Sequence, residues 1–226
     1  MPDLYDRDVF EKKLAALIGD RLNSSRDKLI KALGDPPNPD NVPQSLWDEI
    51  GTELTAVIQP QLQQIYAQSG QALNNSLAIQ YPTPMVDWTM INQQAADWAK
   101  TYTFDLVKDI NETSITQLQD NVSAFFEQGQ TLDKLAMNIE EGFSPARAAM
   151  IARTEVTRAS VQGEIGTVNE IEANSSLKMV NTFQTENDDI VCDICSPLNG
   201  TEVDEDNYPP VHPQCRCWLN WAPEGW

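Results

Sequence analysis

Every cysteine in this chain lies between positions 192 and 217, and the only histidine lies among them. Cys192-Asp-Ile-Cys195 forms a C-x2-C turn, and after sixteen further residues comes His212-Pro-Gln-Cys215-Arg-Cys217. Two thiols at this spacing can grip one ion from a single turn. A second pair brought from a distant loop completes a tetrahedron of soft donors, the set that zinc favours. Five candidate ligands compete for four places. Cys192 and Cys195 make one half; the other is either His212 with Cys215, or Cys215 with Cys217. A strand from Cys215 onward would point residues 215 and 217 to one face, which suits the all-cysteine set. His212 would then support a ligand instead of binding the ion. Two disulfides or four idle thiols are the alternatives. The knuckle spacing, in a chain with no sign of export, favours a structural zinc. The segment from 175 onward is short of large apolar residues, and zinc binding supplies the folding free energy that its own core cannot.

A catalytic zinc usually has three protein ligands and an open position, whereas this set offers a spare ligand and reads as closed. With His212 on the metal no imidazole remains as a base, which excludes Ser–His and Cys–His nucleophile schemes. Asp188-Asp189 and Asp204-Glu205-Asp206 read as solvated surface. No Walker-type loop and no G-x-G-x-x-G pattern occurs. The expectation is a chain that is not an enzyme.

Upstream of the cluster the periodicity is helical. Phe10, Leu14, Leu17, Ile18 and Leu22 make one stripe, predicting an amphipathic helix over about residues 6–33. Gly34-Asp-Pro-Pro-Asn-Pro ends it. A second helix is expected over 45–79, striped by Leu54, Ile58, Leu62 and Ile65 and kinked or broken at Pro60. Tyr81-Pro-Thr-Pro forms the next break. A third helix is expected over 90–110, and Ser114 with Gln117 reads as a capping box opening another. A short helix follows Thr131 and closes at Gly142. Ser144-Pro145 is the strongest helix start in the chain, opening a helix to about 172. Gly163 and Gly166 lie inside it, hinting at close approach of another backbone or simply tolerated. Leu177, Met179 and Phe183 alternate as in a strand, and 215–221 reads as a second strand. The expected fold is mainly α with a small α+β C-terminal module: long amphipathic helices, then a zinc-knuckle-like subdomain with short strands. Its predicted parts are an N-terminal helix (1–34), a Pro-rich linker (35–44), a helical body (45–174) and a small Cys/His metal-stapled module (175–226).

Net charge is −19, which disfavours a surface built to neutralise phosphates. Lys12, Lys13, Arg21, Arg26, Lys28 and Lys31 share the first helix with acidic residues, as on a solvated mixed face. The first residues lack the basic start and apolar run of a signal peptide, and no segment approaches the ~18 apolar residues of a membrane span. The expectation is a chain kept in the cytoplasm, or inside a particle assembled there, with neither a membrane nor a small-molecule substrate as partner. A zinc-dependent nucleic-acid-binding module or nuclease is the alternative; the single histidine and the charge weigh against it.

Two segments together resemble a known family. One is Ile151-Ala-Arg153-Thr154-Glu155-Val. The other runs from Phe183-Gln-Thr185 through Asp188, Val191-Cys192-Asp-Ile-Cys195 and Leu198-Asn-Gly200 to Pro209-Pro210-Val-His212-Pro213-Gln-Cys215-Arg216-Cys217. They resemble the phage Mu F-like minor head proteins, the head morphogenesis proteins of tailed phages and prophages, most clearly over about residues 144–218. The family usually has tryptophan where this chain has Phe183. The resemblance implies a minor virion component in the head interior near the portal, made in the host cytoplasm. Its expected partners are portal protein, major capsid protein or both, with possible contact to packaged DNA. Its expected stage is head assembly, DNA packaging or ejection. Arg153 or Glu155 would brace the metal segment through a charge-assisted bond, Asp188 being one acceptor; Arg158, one turn on, can instead pair with Glu155. The apolar stripe of the first helix would either dock on portal or capsid protein or fold back onto the body.

Overall fold

A computed structural model describes residues 6–81, 86–186 and 190–225. Five helices come first: α1 (Arg7–Leu33), α2 (Gln44–Gln80), α3 (Trp88–Glu127), α4 (Leu132–Gly142) and α5 (Pro145–Ala173). Two strands follow, β1 (Met179–Gln184) and β2 (Trp218–Pro223), paired antiparallel with Phe183 opposite Leu219. The chain is thus mainly helical with a small two-stranded sheet near its C-terminus, as its periodicity predicts.

Three elements differ from expectation. Pro60 lies within α2 without ending it. The expected break after residue 110 is absent, and α3 runs through it. Ser114 does not cap a helix; its hydroxyl donates back to the Ile110 carbonyl at 2.7 Å, the bond that lets serine sit mid-helix. The second strand begins at Trp218, so Cys215 and Cys217 lie in the loop before it and the same-face argument for them does not apply. Helix starts fare better. Thr131 Oγ1 accepts from Lys134 N–H at 3.2 Å, and Ser144 Oγ from Arg147 N–H at 3.3 Å.

The chain divides into two compact units. One comprises Met1–Glu11, Gln61–Ala99 and Met150–Trp226; the other comprises Lys12–Pro60 and Lys100–Ala149. In the second, Leu14, Ile18, Leu22, Leu29 and Leu33 of α1 are buried with Ile50, Leu54 and Ile58 of α2. The α1 stripe is therefore covered, which removes it as a docking element. The basic face of α1 is paired as a mixed surface: Lys28 Nζ reaches Glu49 at 2.7 Å and Glu53 at 2.9 Å. Arg147 donates to the Ser114 hydroxyl at 3.0 Å, the Gly142 carbonyl at 2.6 Å and the Ile110 carbonyl at 3.1 Å, fastening the start of α5 to α3.

The first unit is built on a close approach of α2 and α5. A Cβ added at Gly163 would overlap the Tyr66 carbonyl oxygen, and one at Gly70 would lie 2.8 Å from the Gly163 oxygen. Ser69 Oγ donates across the same contact to the Ser160 carbonyl at 2.9 Å. Gly163 thus marks a backbone contact, while Gly166 makes room for the Tyr66 side chain, so their helix-propensity cost is offset by packing. One hydrophobic core joins Leu73 and Leu77 of α2, Ile91 and Ala95 of α3, and Val161, Val168 and Ile171 of α5 to Phe183, Leu219, Trp221 and the buried cysteines. Phe183 is fully buried, filling the aromatic place that the resemblance assigns to tryptophan.

Candidate metal centre

The C-x2-C turn forms a tight knuckle in which Cys195 N–H points at Cys192 Sγ, 3.4 Å away, and Ser196 N–H bonds the Cys192 carbonyl at 2.9 Å. The loop from Val211 brings in the other donors, turning through Gln214 at φ +63°. His212 Nε2 stands 3.1 Å from both Cys192 Sγ and Cys195 Sγ. Cys195 Sγ stands 3.9 Å from Cys215 Sγ. All five predicted ligands are therefore gathered, as two groups sharing Cys195: Cys192, Cys195 and His212, and Cys195, Cys215 and Cys217.

The arrangement suits a metal. Two sulfurs on a tetrahedral ion with zinc-like bond lengths stand about 3.8 Å apart, and the Cys195–Cys215 distance matches. His212 Nδ1 is 2.7 Å from the Pro213 carbonyl. Nδ1 must donate there, which turns the Nε2 lone pair toward the thiols, the orientation that metal-binding histidines take. Cys195, Cys215 and Cys217 are buried. The cluster can hold a metal ion.

The thiols are unequally poised. Hydrogen bonds from Cys217 hold Cys215 down to about 5. The same contact, with burial, pushes Cys217 far up. Burial raises Cys195 to about 12, while the Cys195 amide lowers Cys192. Burial opposes the charged form of His212, but the Pro213 carbonyl and the neighbouring thiolates outweigh it and raise the imidazole.

Two of the charged side chains of α5 have partners on the helices. Arg153 Nε donates to Glu11 Oε2 at 3.1 Å, and Arg158 Nε lies 3.5 Å from Glu155 Oε2. Asp188 falls outside the described residues. Two threonines also hold the loop. Thr154 Oγ1 accepts from Gln214 N–H, and Thr157 Oγ1 donates to the Cys215 carbonyl, both at 2.9 Å. They sit three apart on α5 and so share a face. Their spacing around Glu155 was the only hint in the sequence, and threonine in a helix is too common for it to single them out. Arg7 adds a donor to Thr157 Oγ1.

Among the described residues no helix is long and apolar enough to cross a membrane. No curated protein and no solved structure matches the chain. Residues 116–220 match the family described as Phage Mu protein F like protein. That family is one of phage head morphogenesis. The match begins within α3, well upstream of the motifs that carry the resemblance, and ends within β2. The stretch holding both threonine clamps and all five candidate ligands is thus the part of the chain that is similar to the phage Mu protein F-like family.

Proposed function

We propose that this chain is a minor head protein of a tailed phage or prophage. It works inside the head near the portal, in assembly, DNA packaging or ejection, beside portal or major capsid protein. The match over residues 116–220 carries this reading. The donor cluster, whose Cys195, Cys215 and Cys217 are buried, supports it, since a cysteine-rich set with a spare ligand suits a structural part better than a catalyst. Mass spectrometry of purified phage particles tests it. The expected result is the protein in few copies per particle, with deletion of its gene giving heads that fail to mature or to package. Its absence from particles and precursor heads, with phage yield unchanged by deletion, would overturn the proposal.

Zinc is the proposed ion, held by Cys192, Cys195, His212 and Cys215. The orientation of His212 and the Cys195–Cys215 spacing support this set, which leaves Cys217 as a buried thiol beside it. One zinc per chain is the expected stoichiometry. Cys217→Ser retains it and Cys195→Ser loses it. Loss of zinc from Cys217→Ser with retention in His212→Ala would instead select the all-cysteine set.

A further inference from the structure

The first unit carries an open cavity of about 350 Å³, within the roughly 300–1,000 Å³ of small-ligand pockets. Its walls come from the last turns of α2, from α5 and from both strands. Among the described residues that line it, Glu164 of α5 is the one acidic or basic side chain. Glu164 is 8% exposed, and its Oε2 has no hydrogen-bond partner. Trp221, also 8% exposed, presents an Nε1 that likewise completes no bond. Its indole N–H nevertheless lies near enough to Glu164 to favour the carboxylate. Arg7 favours the carboxylate too, but its guanidinium donates to Thr157.

A buried carboxylate oxygen without a donor costs free energy that a ligand can return. We propose that this cavity is a recognition pocket for one arginine side chain of a partner protein, with Glu164 Oε2 accepting from the guanidinium. Three features select that ligand. The carboxylate calls for a cation, and a chain of net charge −19 attracts basic partners. Trp218 and Trp221 are among the residues that line the cavity, and a planar guanidinium stacks on indole more readily than an ammonium does. Five N–H donors need several acceptors, and Gln80, Gln184 and Asn220, which carry amide oxygens, are among the lining residues. An ammonium is more strongly hydrated and makes less of the aromatic walls, so lysine is the poorer fit.

The pocket is independent of the head-protein reading, and a small probe tests it without any phage component. N-acetyl-arginine amide is titrated into the ¹⁵N-labelled full chain while the indole N–H signals of its 6 tryptophans are followed. The expected result is saturable movement of the Trp218 and Trp221 signals, with the roughly millimolar Kd of a lone side chain. Glu164→Gln, which keeps size and removes charge, should weaken binding by about tenfold or more, as loss of a charge-assisted hydrogen bond does. N-acetyl-glutamine amide should move neither signal. Indoles that stay still at saturating probe, or that move equally in Glu164→Gln, overturn the pocket. An equal response to N-acetyl-lysine amide overturns the assignment to arginine.

Discussion

At the scale of single residues, the loop that carries His212, Cys215 and Cys217 is held by side chains outside the candidate ligand set. Thr157 is fully buried and donates to the main chain of Cys215. Thr157→Val keeps the shape and removes that donor, leaving a carbonyl unbonded. The expected cost is about 1–3 kcal/mol in urea unfolding, with faster metal loss to a chelator. Glu164 gives a pH signature. Burial pushes its carboxyl up to about 7 from 4.5, against the pull of Arg7 on α1 and Trp221 on β2. The folded chain then holds this proton more tightly than the unfolded chain does. The stability it lends is whole below the unfolded value and drains away as pH climbs through the folded one. Glu164→Gln should flatten that loss, with the gap between variant and wild type widening by on the order of 3 kcal/mol across this window. A gap that does not change with pH would refute the shift. The five candidate metal donors were legible in the sequence because cysteine and histidine are scarce here and their spacing is chemical. The clamping threonines and Glu164 were not, because what they do depends on which backbone or cavity the fold sets beside them.

At the scale of elements, helix contacts decide what periodicity leaves open. The stripes of α1 and α2 foretell both helices to within a residue or so, since each buries one face. The length of α3 was hidden. A serine followed three positions later by glutamine reads as a cap until its hydroxyl is seen to bond the preceding turn. Gly163 was ambiguous in the sequence and is decided by Tyr66 of α2. Gly163→Ala should force the two helices apart at a contact between backbones, costing roughly 3 kcal/mol, seen as a lower thermal midpoint. In an isolated helix the same change would stabilise by up to ~1 kcal/mol, so the sign of the effect reports the contact.

At the scale of the molecule, neither compact unit is a continuous stretch of chain. Hydrophobic periodicity says which face of a helix is buried but not which distant segment buries it, so this interleaving could not be read from the sequence. A chain truncated after Ala173 lacks Phe183, Leu219 and Trp221, all members of the first unit's core. Each such side chain contributes about 1.5–3 kcal/mol when buried. The truncated chain should bind a hydrophobic dye and lose the cooperative melting of that unit; melting like the full chain's would contradict the shared core. The interleaving also bears on synthesis. A ribosome has delivered every residue of the second unit once Ala149 emerges. Leu73, Leu77 and Ile91 are made long before then, yet Val161, Val168, Ile171 and Phe183, with which they form a core, come after. The nascent chain therefore carries an uncovered apolar surface through much of translation, the condition in which chaperones are recruited and in which slow synthesis of the last segment lowers the yield of folded protein.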